Sequence, residues 1–161
     1  MAITTSLARP ADAAAMAQLL EEMDRFYGSD APAPLAERVG ELNDAVFASP
    51  PAAWALLAWD GEQLAGLAAY SFLWPAVGLT SSLYLKELYV ADRYRGRGIG
   101  RLLMQGLFEA AAKRGCSRVE WTTDQENTGA QAFYERLGVP AHPSKIFYRV
   151  EDNGAGLQLP G

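Results

Sequence analysis

The chain is poor in residues that define several common protein classes. It holds one cysteine, Cys116, and one histidine, His142. A lone cysteine cannot close an internal disulfide, which fits a reducing, cytoplasmic setting. No His/Cys/Asp spacing forms a ligand set, so no metal is expected. Basic side chains are outnumbered, 14 against 19 acidic ones, for a formal charge of −5. That argues against nucleic acid or an anionic membrane as a bulk partner. No long apolar run is present, and the N-terminus turns polar within a few residues, so neither a span nor a leader is expected. Low-complexity blocks and internal repeats are also missing. What is abundant is apolar: 50% of 161 residues. One good core can be built from that, so residues 1–150 are expected to form a single domain. The glycine-rich, aperiodic tail 151–161 is expected to be flexible.

Read in order, Ile3–Ala8 is a short strand. Helices are predicted over Ala11 to about Tyr27, with Asp12 as cap, and around Leu35, Val39, Leu42 and Val46. Ala53–Trp59 and Gln63–Phe72 form a hairpin around Asp60-Gly61. The apolar, alternating Leu83–Val90 is a well-buried strand. Ile99, Leu102, Leu103, Gly106, Leu107 and Ala110 mark a helix face running to about Arg114. A strand over Cys116–Thr123, a helix over Asn127–Leu137 and a last strand near Ile146–Val150 follow.

Between the central strand and its helix lies Tyr94-Arg95-Gly96-Arg97-Gly98-Ile99-Gly100. A helix start offers unpaired N–H groups and a positive dipole end. Glycines let that backbone approach a ligand closely. This is an anion cradle, with phosphate as the expected anion. Two familiar cradles are missing. A P-loop needs Gly-Lys-Ser/Thr, but Gly100 is followed by Arg101, which argues against a nucleotide phosphotransferase, a third reading. A Rossmann fingerprint needs glycine where Arg101 stands.

Arg-x-x-Gly-x-Gly (Arg95, Gly98, Gly100) after a strand ending in Tyr89-Val90 resembles the coenzyme A pyrophosphate loop of the GNAT N-acetyltransferase superfamily. About thirty residues on, Asn127-x-x-Ala130-x-x-Phe133-Tyr134, closing on Leu137-Gly138, resembles that family's second motif. The order of elements is similar to the family over nearly the whole chain. The resemblance implies an α/β fold with a mixed sheet, β-α-α-β-β-β-α-β-α-β, whose central strand splays from its neighbour. It implies acetyl-CoA as co-substrate. Arg95, Gly96, Arg97, Gly98, Ile99, Gly100 and Arg101 would hold the diphosphate, while Leu88, Tyr89 and Val90 would hold the pantetheine arm through main chain. Asn127 would touch that arm, and the Tyr134 hydroxyl would sit beside the sulfur.

Acetyl transfer to an amine also needs a general acid and a base. A backbone N–H near Leu88–Tyr89 would polarise the carbonyl, worth ~3 kcal/mol of barrier in a dry site. Tyr134, with a reference pKa of ~10, is the candidate acid for the leaving thiolate. Glu87 is the candidate base; the competing reading is a half-exposed strand carboxylate. In polyamine-type members the corresponding glutamate aligns nearer Lys86, and a bulge would upset any face assignment here. His142, flanked by Pro140 and Pro143, reads as a loop residue, and Cys116 as buried filler. Glu21, Glu22, Asp24, Asp30, Glu37, Glu41 and Asp44 against Arg25 and Arg38 would make an acidic rim attracting a cationic amine. Trp54, Phe72 and Trp74 would supply apolar or cation–π walls. Those acids read equally as solvated helix faces. A small-molecule amine, polyamine or amino acid is the favoured acceptor. Protein or peptide N-acetylation, and a non-catalytic acyl-CoA sensor of the same fold, stay open. Homodimers are common in the family, so a homodimer is a further expectation.

Overall fold

A computed structural model describes residues 2–161. The strands are β1 (Ile3–Leu7), β2 (Trp54–Asp60), β3 (Gln63–Leu73), β4 (Ser82–Val90) and β5 (Arg118–Trp121). The helices are α1 (Ala13–Phe26), α2 (Leu35–Val46), α3 (Ile99–Lys113) and α4 (Thr128–Arg136). Short 3-10 turns occupy Pro10–Asp12 and Asp92–Tyr94. The chain divides into two compact units: one reaches to Thr122 and contains the whole sheet with α1–α3, and the other, Thr123–Gly161, contains α4.

The strands run in sequence order, antiparallel from β1 to β4, and β5 joins β4 in parallel. This is the mixed sheet expected. The α3 side carries Trp54, Leu56 and Gly66: a Cβ on Gly66 would press on Ile99 and Leu103, and one on Gly106 would run into the Leu56 side chain. Small residues at those two points let α3 lie close against the strands. Leu57, Leu67 and Tyr89 pair across to the other side, where α1 packs. The buried residues of α3, Ile99, Leu103, Met104, Leu107 and Ala111, keep the helical spacing read from the sequence. Met16, Ala17, Leu19 and Met23 do the same for α1. Each large apolar side chain so buried contributes about 1.5–3 kcal/mol.

One expectation holds in part and one fails. Asp12 stands at the N-cap of α1 as expected, but its side chain does not cap the helix: a 3-10 turn precedes it, Asp12 has helical angles (φ −88°, ψ −5°), and its carboxylate turns back to accept from the Arg9 N–H at 2.8 Å. The strand expected near Ile146–Val150 does not form. No ladder takes it up among the described residues, and Ile146, Phe147, Tyr148 and Val150 are all exposed. An extended segment without a hydrogen-bonded neighbour has nothing to offset its conformational entropy.

Candidate active site

The β4–β5 ladder runs from Ser82↔Arg118 to Leu85↔Trp121 and stops there. β4 continues to Val90. Among the described residues no strand pairs with the β5 side of β4 from Lys86 onward, and on that stretch the Val90 carbonyl is taken by the Arg95 side chain. The resemblance implied a central strand parting from its neighbour; here β5 itself ends at Trp121, and β4 outruns it.

Within β4, the register passes from Tyr70↔Leu85 to Ala69↔Glu87, leaving Lys86 as a one-residue bulge. The bulge reverses the alternation. Counting by twos from Leu83 would put Glu87 and Tyr89 on the α3 face. Instead Glu87 and Tyr89 share the α1 face, and Leu88 and Val90 face α3. Glu87 is half-buried.

Beyond Val90 the chain makes the 3-10 turn and enters the glycine loop. Gly96 and Gly98 have φ of +74° and +80°. A Cβ at either would meet nothing within 4 Å, so the backbone angle, and not crowding, calls for glycine there. Gly98 is the N-cap of α3, and no side chain caps that helix start. Its first N–H groups therefore point out unclaimed by any cap, with Arg97 and Arg101 in the same stretch. Together, a strand edge that no neighbouring strand joins and a helix start without a side-chain cap fit a ligand with an amide-bearing arm and a diphosphate, as coenzyme A has.

The loop is braced from below. The buried Tyr94 hydroxyl donates to Asp60 Oδ2 at 3.0 Å, and Arg93 donates to Gln63 Oε1 at 3.0 Å. Arg95 folds back: its Nε donates to the Val90 carbonyl at 3.2 Å, and its guanidinium lies 4.4 Å from the Phe26 ring centre and 5.4 Å from that of Tyr89. Glu22 Oε1 accepts from the Tyr89 hydroxyl at 3.1 Å and from the Asp92 N–H at 2.9 Å. Burial, then the Glu22 charge and hydrogen bond, push the Tyr89 hydroxyl up to about 12, against a smaller opposing effect of Arg95. Tyr89 is thus a neutral donor at physiological pH and no base. Glu22 was not singled out for this place in the sequence, because its partners lie 67 and 70 positions away. Its spacing of four from Phe26 is the only local sign that both residues share a helix face.

The remaining residues sort differently from expectation. Arg38 binds Asp24 at 2.9 Å and Arg25 binds Glu21 at 3.1 Å, so both arginines of α1 and α2 are used within the acidic rim. Trp54 and Phe72 pack edge to face on the α3 side, and the Arg114 guanidinium sits 3.9 Å from the Phe72 centroid. They are on the opposite face from Glu87, and their cation–π surface is already covered by this chain's own arginine. Trp74 is 65% exposed in the β3–β4 loop, its indole N–H donating to the Leu79 carbonyl. Cys116 is half-buried just before β5.

In the second unit, Asn127 is the N-cap of α4, and its Oδ1 accepts from the Ala130 N–H at 3.0 Å. The amide nitrogen is the end it can turn to a ligand. Tyr134 is half-buried on α4, its ring 5.2 Å from that of Phe133. His142 lies in an exposed turn with Nδ1 2.9 Å from the Ser144 hydroxyl. Among the described residues no group of three or more His, Cys, Asp or Glu could hold a metal, and no helix is long and apolar enough to cross a membrane.

Known proteins are similar to this chain in sequence or in fold. A D-amino-acid N-acetyltransferase of Saccharomyces cerevisiae is 31% identical over 98 residues, 60% of each chain. An L-ornithine N5-acetyltransferase of Arabidopsis thaliana is 31% identical over 75 residues, 47% of this chain and 33% of that one. The chain therefore spans between a third and about three-fifths of these curated relatives. An integron cassette protein from the mobile metagenome of V. cholerae superposes with a TM-score of 0.87 at 28% identity, covering 96% of this chain and 95% of that one. The sequence model of the acetyltransferase (GNAT) family matches residues 15–139, from the first turn of α1 to just past α4. The chain belongs to the GNAT acetyltransferase family.

Proposed function

We propose that this protein is an N-acetyltransferase that moves an acetyl group from acetyl-CoA to a primary amine of a small molecule, by direct transfer in a ternary complex. The observation that carries this reading is the β4 edge that, among the described residues, no strand joins after Leu85, leading into a helix start with Gly98 at its N-cap. Acetyl-CoA supplies the activated thioester carbonyl. The N–H groups from Arg97 to Gly100 and the α3 dipole receive the diphosphate, with Arg101 adding positive charge. Main chain of Leu88 and Val90 aligns the pantetheine arm, and Asn127 offers it a donor. An N–H near Leu88–Tyr89 polarises the carbonyl oxygen.

Glu87, on the α1 face, takes a proton from the incoming ammonium directly or through a water. Tyr134 returns a proton to the departing thiolate. Tyr89 is unsuited to the proton-removal step, because its hydroxyl is held protonated against Glu22.

The acceptor favoured is the amine of a free amino acid. Two relatives with related sequences are named for D-amino acids and L-ornithine. The self-pairing of Glu21 with Arg25 and of Asp24 with Arg38 also leaves less negative charge for a polycation than the count of acids suggests. A thiol-release assay with acetyl-CoA across D- and L-amino acids, polyamines and peptides tests this. Turnover of amino acids above all others is expected. Coenzyme binding without turnover on any amine would overturn the enzyme in favour of a sensor, and turnover of peptides alone would overturn the small-molecule acceptor.

A further inference from the structure

Glu22 belongs to the acceptor-side helix α1, yet both of its hydrogen bonds go to the donor-side segment. One is to the last buried residue of β4, Tyr89, and the other to the first N–H of the turn before the glycine loop. That turn, Asp92–Tyr94, has Ala91 as its N-cap, which has no side-chain oxygen, so its first N–H has no local partner. Glu22 supplies the missing acceptor from another helix. One turn further along the same face, Phe26 lies under the Arg95 guanidinium, whose Nε holds the Val90 carbonyl. α1 thus grips the 89–95 segment at both ends. Docking of α1 itself does not require these contacts, since Met16, Ala17, Leu19 and Met23 already bury its apolar face.

We infer that Glu22 is a positioning residue for the coenzyme site: it fixes the turn that sets where the Arg95–Gly100 amides point. The inference rests on the acetyl-CoA reading given above. Its work is geometric. One oxygen accepts two hydrogen bonds, and a neutral amide oxygen in the same place can accept both. The negative charge itself would, if anything, disfavour a nearby diphosphate. This separates Glu22 from a residue whose contribution is charge or general helix packing.

The test compares Glu22→Ala, Glu22→Gln and Tyr89→Phe with the wild type by steady-state kinetics and by CoA titration in a calorimeter. Losing the two bonds in Glu22→Ala is expected to raise KM for acetyl-CoA and Kd for CoA about tenfold, with kcat at saturating donor within about threefold. Glu22→Gln should restore both constants to within about threefold of wild type. Tyr89→Phe, which loses one bond of the two, should fall between. An unchanged KM in Glu22→Ala overturns the inference, and so does Glu22→Gln behaving as badly as Glu22→Ala, which would assign the effect to charge. A parallel fall of kcat would mark general damage and also overturn it. If Glu22→Ala does not fold, an unchanged KM in Tyr89→Phe serves as the refuting result. Wild-type protein that takes up no CoA would instead sink the acetyl-CoA reading itself, an outcome distinct from all of these.

Discussion

Glu87 and Tyr89 stand on the α1 face of β4 because Lys86 is bulged between Leu85 and Glu87. One inserted residue turns a carboxylate that strict alternation would bury against α3 toward the helix that carries Glu22. Glu87→Gln removes the proposed base while keeping its volume. It is expected to lower kcat/KM by ~10²-fold near neutral pH, with Kd for CoA unchanged. The pH profile decides the role: the acidic limb of kcat/KM should vanish in the variant. A profile of unaltered shape would leave Glu87 a structural carboxylate.

Tyr134→Phe should cut kcat by ~10²-fold or more and spare coenzyme binding. Pre-steady-state measurement of thiol release, beside calorimetry with CoA, separates the two quantities. Equal turnover by the variant would take the acid role away from Tyr134.

Gly98→Ala tests the cradle. The site has room for a methyl, but φ of +80° costs an L-residue ~1–2 kcal/mol. A modest fall in melting temperature is expected together with loss of most CoA affinity, because the methyl stands where the ligand must approach backbone. A drop in stability with affinity intact would argue that the glycine serves only the turn.

The raised Tyr89 hydroxyl makes a prediction about alkaline stability. A phenol held protonated to about 12 when folded, against ~10 when unfolded, favours the fold fully below pH 10. Between pH 10 and 12 the unfolded state binds fewer protons, so that contribution drains away as pH rises. Urea unfolding across this range should show a decline in wild type that is shallower in Tyr89→Phe.

The sequence made local features plain and left distant ones hidden. Helix faces such as Ile99, Leu103 and Leu107, and the loop whose Gly96 and Gly98 adopt positive φ, follow from spacing within a few residues. The mixed sheet came through the resemblance of the element order to the GNAT family, not from the residues of the strands themselves. The bulge at Lys86 has no local signature, so alternation alone gives Glu87 the wrong neighbours. Trp54 and Phe72 are expected as apolar or cation–π walls of the acceptor side on their aromatic character alone. Their cross-strand partners place them instead under Arg114. Ile146–Val150 reads as a strand by composition, but a strand is a pairing, and composition does not name the partner. Glu22 looked like one acid among seven on two helices, and only the fold distinguishes it.

The five residues from Lys86 to Val90 outrun the β5 ladder, and a strand edge without a neighbouring strand is adhesive toward an extended chain. The pantetheine arm, with its own amide groups, would then act as a borrowed strand that completes the sheet. Loading with coenzyme should therefore do more than prepare chemistry: it should keep concentrated protein from self-association, so that purification with CoA present yields a better-behaved sample than purification without it.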